Sequence, residues 1–335
     1  MSEDFIIGPQ DEYPHFPPPS VVNFNESVYV MAYDQASRVG GWMRLGNRFN
    51  EGHAELAVCL YLPDGKIACQ FNRPQISTYQ EFSAGGLKYE VNEPYKKIVM
   101  SYDGPLVIVD NPEELRNPKV LFKEAPRAQS HVLWEMTGCS PIHGGLPKND
   151  SVETYYGRDF SLGHFNQHTM VQGHIKIADQ KWQVIGGGWR DHSWGPRYWE
   201  NIYFHRLFEA NFDNGRALML IKITYPNMKS RRLGVLLVDG NYEEVIDMDL
   251  MTEWNSHQEP DRARIVVKTS RRHATIDLVM GTRASLSNKR KLSESTMTTR
   301  VIEASTAYFW DGIKGHGMAE YLDKIEDGQP VGFPL

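Results

Sequence analysis

Short runs of β-branched and aromatic residues, cut by tight-turn sequences at roughly ten-residue intervals, constrain this chain more than any other feature. Residues 54–62 and 66–71 flank Pro63-Asp64-Gly65, and residues 97–102 and 106–109 flank Asp103-Gly104-Pro105. Residues 202–212 and 217–225 flank Asp213-Asn214-Gly215, and residues 233–238 run into Asp239-Gly240. Such glycine and asparagine turns close hairpins because they tolerate the backbone twist that the flanking strands require. Residues 28–33, 263–268 and 275–280 add further strands, and residues 298–310 form a long late one. Helical signals are few. Asn111 caps a short helix with Pro112 in its first position, and Pro118 is expected to end it. Residues 318–325 fit either a helix or a last strand. This pattern predicts an all-β protein of barrels or sandwiches rather than a parallel α/β sheet.

The length of 335 residues suits two domains. The proline- and glycine-bearing stretch 126–150 reads as irregular, so the division is placed at residue 150, giving domains 1–150 and 151–335. A net charge of −6 argues against a nucleic-acid partner. The short basic run Lys289-Arg290-Lys291 reads as a solvated loop. No apolar stretch is long enough for a membrane-spanning helix, so no integral membrane segment is expected. The acidic, proline-rich N-terminus lacks the pattern of a secretion signal. Three cysteines without a C-x-x-C spacing argue against a disulfide framework or structural zinc, and a cytoplasmic protein is expected.

Residues 186–199, GGGWRDHSWGPRYW, hold three tryptophans, a tyrosine, two arginines and an Asp-His pair. The serine hydrolase elbow needs glycine two residues before the serine, where Asp191 stands. His164 and His168, or His174, His192 and His205, lack a metal-binding pattern, so no metal is expected. The three consecutive glycines suit a bent strand or a close backbone approach. If residues 189–194 are extended, Arg190, His192 and Trp194 share one face while Trp189, Asp191 and Ser193 share the other. One reading lines a cavity with one of these faces. The other makes both faces architectural, with Asp191 capping a turn and an arginine stacked on tryptophan.

The W-x-D-H-x-W-G arrangement, followed by a D-N-G turn and Leu218-Met219-Leu220, resembles the carotenoid 1,2-hydratase and AttH-like family. Gly315-His316-Gly317-Met318-Ala319-Glu320 is similar to the family's late glycine-rich segment. The same superfamily includes kievitone-type hydratases and fungal lipocalin-like decalin-forming pericyclases. The motif is most similar to a bacterial subgroup with G-x-G-x-R-D-H-S-W-G-x-R. The resemblance covers residues 160–325 best and the first 150 weakly. It implies two lipocalin-like β-barrel domains with a hydrophobic pocket, and chemistry without a cofactor. His192 and Trp194 match the His-x-Trp of the carotenoid hydratases. Those enzymes place an acid on the strand after the D-G turn, whereas here residues 219–224 carry none, so Asp191, Glu209 or Glu320 would have to supply the proton.

The expected function is therefore addition or elimination of water on a lipophilic, isoprenoid-like small molecule by acid–base catalysis. Asp191 or Glu320 is expected as the acid and His192 as its partner. Trp189, Trp194 and Trp199 are expected as an aromatic wall, and Arg190 and Arg197 as groups that orient Asp191 or bind a polar substrate end. Burial beside aromatic rings would raise a carboxyl pKa and keep its proton near neutral pH. Two other readings remain open, a non-catalytic carrier of a lipophilic ligand and a pericyclase or isomerase. A homodimer is compatible with the sequence.

Overall fold

The computed structural model describes residues 4–21, 23–154, 156–158, 160–227, 229–291, 296–327 and 329–331. The fold is all-β, and its two sheets each close into a barrel of eight antiparallel strands. In the first, neighbouring strands run in the order Gly163–Ile177, Gln180–Pro196, Phe24–Asp34, Val39–Arg48, His53–Tyr61, Ile67–Asn72, Lys97–Val109 and Arg127–Gly138. The last pairs back onto the first and closes the ring. The second barrel is a simple meander, Phe204–Phe212, Ala217–Thr224, Ser230–Val238, Asn241–Trp254, Pro260–Thr269, His273–Lys291, Thr296–Trp310 and Ile313–Glu326. It closes where Phe204–Phe212 pairs with Ile313–Glu326. Closure removes the exposed edges that an open sheet of such strands would present.

The units do not divide at residue 150. One comprises residues 1–63, 68–108 and 126–199, and the other 64–67, 109–125 and 200–335. The reason is strand pairing: Gln180–Pro196 bonds to Phe24–Asp34 along its length, from Gly187 opposite Tyr33 to Pro196 opposite Phe24. The tryptophan-rich motif therefore lies in the first barrel. The stretch read as irregular instead supplies two strands, Arg127–Gly138 and His143–Pro147. Their prolines lie at or beyond the strand ends. Asn111 does cap a short 3-10 helix, Pro112–Arg116, but Pro118 opens a second helix, Pro118–Glu124, rather than ending one. Residues 318–325 belong to a strand, and Lys289–Lys291 continue a strand paired with Thr296–Thr298 rather than forming a loop. The three cysteines are unpaired with one another. Among the described residues no helix is long and apolar enough to cross a membrane.

Glycines in the motif are fixed by close approach. A Cβ on Gly186 would lie 2.1 Å from the Tyr33 carbonyl oxygen. Gly163 faces Trp194 across the ladder, and a Cβ there would meet the indole at 2.2 Å, so the ring lies over bare backbone.

The interior of the first barrel is packed from Val28, Val30, Met43, Leu45, Val58, Leu60, Met100, Trp134 and Val184, among others. The N-terminal segment crosses one end of it. There Glu12, in the turn Pro9–Glu12, meets Arg190 in a two-pronged ion pair of 2.7 and 2.6 Å. Gln167 Oε1 accepts two more Arg190 bonds and the Tyr89 hydroxyl a fifth, so every guanidinium donor is used. Burial opposes the Arg190 charge, but Tyr89 and Glu12 outweigh it and hold its pKa above the usual arginine value.

Arg190 and Glu12 are 1% and 0% exposed, so removing one partner strands the other in a dry site. Glu12→Gln should cost about 3–5 kcal/mol in urea unfolding, whereas Glu12→Gln combined with Arg190→Met should recover much of that loss. Equal stability of the single variant and the wild type would refute this account.

Candidate functional site

Alternation along Gln180–Pro196 sends the motif's side chains to two different environments. Arg190, His192 and Trp194 point to the side of Val28 and Val30, into the first barrel. His192 Nε2 lies 2.5 Å from Glu26 Oε1, and His15 Nδ1 lies 3.1 Å from the same oxygen. The His15 ring stacks on Trp194 with centroids 3.8 Å apart and planes 14° from parallel. Phe82 and Phe165 present edges to His192 at 5.2 and 5.3 Å. The face expected to receive substrate through Arg190 and Trp194 is thus packed by the chain's own N-terminal segment and strands.

Trp189, Asp191 and Ser193 point the other way. Trp189 meets Tyr29 at 5.9 Å, and Tyr29 stacks against Trp42. Asp191 Oδ2 lies 3.3 Å from His164 Nε2. Burial pushes the His164 pKa below the usual histidine value despite the aspartate, which favours a neutral ring. Arg197 donates to Ser193 Oγ at 2.8 Å and sits over Phe160 at 4.1 Å, with Trp199 at 5.7 Å. Burial, with Arg44 and Arg48 nearby, brings Arg197 down to about 9. Arg190, bound to Glu12, does not orient Asp191. Asp191 and His192 stand back to back, each paired with a different residue, and do not form one dyad.

Glu320 lies in the second barrel, where three strands arrange a set of acids. Phe208, Ala210, Ile302, Ala304, Ala319 and Tyr321 fill that barrel's interior, so the residues between them face outward. On this outward face Glu303 stands opposite Glu320, Glu320 opposite Leu207, and Leu207 opposite Ile221. In the adjoining row Ser305, Met318, Glu209 and Met219 follow in the same order. Nearly every member is buried: Glu209, Met219 and Ile221 are 0% exposed and Glu303 is 3% exposed. His205 Nδ1 lies 2.7 Å from Glu320 Oε1. Burial first, then the charge of Glu320 and a hydrogen bond shared with it, then the charge of Glu209, raise the Glu303 pKa well above the carboxylate range. Glu303 thus faces a second carboxyl in an apolar setting, which favours its protonated form, and the Glu320 side chain keeps 19% of its surface open.

Sequence reasoning reached Glu209 and Glu320 through the missing acid of the hydratase pattern, but it did not find Glu303. The signal was present: in Thr296–Trp310 a glutamate occupies a strand position flanked by Val301, Ile302 and Ala304. Glu26 and His15 were also missed, because nothing local marks two residues that lie far from His192 along the chain. His174, weighed as a metal ligand with His192 and His205, instead lies beside His131, with ring centroids 5.2 Å apart.

Comparison with solved structures supports this fold. An AttH protein of Nitrosomonas europaea is similar over 96% of this chain and 97% of its own, with a TM-score of 0.64 at 14% identity. CghA matches over 94% of this chain and 95% of its own, at a TM-score of 0.53 and 11% identity. Kievitone hydratase from Nectria haematococca matches over 95% and 93%, with a TM-score of 0.51 at 10% identity. A search of curated sequences returned no match. The model of a domain of unknown function, DUF7064, matches residues 8–325, and the chain belongs to that family.

Proposed function

We propose that the protein adds water to, or eliminates it from, a lipophilic small molecule, with the Glu303–Glu320 carboxyl pair moving the proton. The observation that carries this reading is the buried Glu303 standing opposite Glu320, beside Leu207, Met219, Ile221 and Met318 and with Glu209 in the adjoining row, a setting that favours the protonated carboxyl. A carboxyl that keeps its proton at neutral pH is available to protonate an alkene carbon, and an apolar surround is what keeps that proton in place. The resulting cation takes up water, and the oxygen's surplus proton returns to the carboxyl pair, so the acid is regenerated. Run backwards, the same steps dehydrate an alcohol. His205, bonded to Glu320, holds that carboxyl in place and sets which oxygen faces the reacting centre. The fold shared with a kievitone hydratase is compatible with this chemistry.

Asp191 and His164 are a second acid–histidine pair, but they belong to the first barrel and lack the doubled carboxyl. The proton-transfer role is therefore assigned to Glu303 and Glu320, with Asp191 and His192 as scaffold.

Incubating the protein with a panel of isoprenoid and polyketide alkenes in isotopically labelled water, followed by mass spectrometry, should reveal a product carrying the label. Glu303→Gln and Glu320→Gln should each slow that turnover by roughly 100-fold or more, while Asp191→Asn leaves it near the wild-type rate. Full turnover by both glutamine variants would sink the assignment, and a product of unchanged mass would indicate an isomerising reaction instead.

The same residue should couple folding to pH. Because folding raises the Glu303 pKa, the folded chain keeps a proton that the unfolded chain has lost above the ordinary value of 4.5. Stability must then fall as pH rises from that value toward the folded pKa. Thermal midpoints of Glu303→Gln should therefore exceed those of the wild type at pH values near 8, with the difference shrinking toward pH values near 4. An unchanged pH slope in the variant would contradict the raised pKa.

A further inference from the structure

The mouth of the first barrel brings together three groups that the proposed chemistry does not use. His15, Glu26 and His192 come from the N-terminal segment, the second strand of the motif's ladder and the motif itself. One ligand atom of each, two imidazole nitrogens and a carboxylate oxygen, lie within 4.8 Å of one another. Glu26 and His192 are 3% and 0% exposed, and His15 keeps 21% of its side chain open. We propose that this triad is a binding site for a divalent transition-metal ion of the zinc class.

Four observations carry the proposal. The donor set, two imidazoles and one carboxylate, is one that zinc accepts. The spacing is close to what such an ion imposes: ligands at about 2.0–2.1 Å from a tetrahedral centre stand about 3.3 Å apart. His15 Nδ1 and His192 Nε2 already lie 3.1 and 2.5 Å from Glu26 Oε1, so the tighter contact need open by less than about 1 Å. The second oxygen of Glu26, Oε2, is buried without a hydrogen-bond partner among the described residues, an acceptor that a cation would satisfy. Finally, the far nitrogen of His15 is already oriented. Its Nε2 lies 3.3 Å from Asp11 Oδ1, and Asp11 is itself fixed by the backbone N–H of Gly8 at 2.7 Å. A carboxylate behind a ligating histidine sets its tautomer and strengthens its donor nitrogen.

The Trp194 ring stacked on His15, with Phe82 and Phe165 around His192, gives the ion a dry wall. A bound cation would also balance Glu26, a buried acid whose side-chain partners are His15 and His192, with Asp11 behind His15. Because His15 belongs to the segment that crosses the barrel end, the ion would pin that segment to two strands and contribute to folding.

The test uses the full chain, stripped of metal with a chelator, with zinc alone as the probe. Calorimetric titration should show one equivalent bound, and zinc should raise the thermal midpoint of the wild type. His15→Ala should lower the affinity by at least about tenfold, a loss typical even of groups behind a ligand. That variant sits on a partly open segment, so it should still fold. Glu26→Gln should behave likewise where it folds. His174→Ala, at the separate surface pair with His131, should bind zinc as the wild type does. Absence of binding, an affinity unchanged by His15→Ala, or a loss shared by His174→Ala would overturn the proposal, leaving a His–Glu–His hydrogen-bond network in its place.

Discussion

The two-residue period of the strand Gln180–Pro196 is the constraint on which the rest of the structure depends. It is held on both sides, by Gly163–Ile177 and by Phe24–Asp34, so its register cannot slip without turning every side chain over. One face therefore always carries Arg190, His192 and Trp194 into the barrel. The other always carries Trp189, Asp191 and Ser193 away from it. Everything the motif does follows from that division: the ion pair that ties down the N-terminal segment, the histidine cluster behind it, and the separate Asp191–His164 contact outside.

Both barrels place charge where a β-barrel least tolerates it, and both resolve the cost by pairing. In the first, Arg190 is surrounded by acceptors. In the second, Asp323, 0% exposed, takes Arg206 at 2.6 Å and Arg300 at 3.0 Å. Arg206 in turn lies over the Tyr321 ring at 4.5 Å. These are paired charges and mark structure. Glu303 differs in kind, because it faces another carboxyl, Glu320, whose own partner is His205. Paired charges of the first kind brace the fold, whereas facing acids favour a retained proton.

The resemblance to carotenoid hydratases and the AttH-like family rested on the motif and the late glycine-rich segment, and the fold agrees with it. The conspicuous motif residues and the facing carboxyls of Glu303 and Glu320 nevertheless fall in different barrels. Trp194 has one face covered by His15, Arg197 leans on Phe160, and Trp199 meets Phe160 edge-on at 5.0 Å. A motif can thus be recognisable while its aromatic and charged residues serve as packing in the barrel that carries them.

By itself the sequence determined the class of fold, the turns of the second barrel and the separation of Asp191 from His192, because these depend on residues close together along the chain. A D-N-G turn closes its own hairpin, and alternation acts between neighbours. The boundary at residue 150 depended instead on which strands pair across the chain, and the pairing of Gln180–Pro196 with Phe24–Asp34 decided it. Glu320 was visible as a candidate, but its partner Glu303 was not, since their pairing follows from the Asp311-Gly312 hairpin only once residues 313–326 are read as a strand rather than a helix. Only the tertiary structure sets His192 beside the strand of Glu26 and brings His15 against both, because contacts between segments far apart along the chain are fixed by strand pairing and register rather than by the residues beside them.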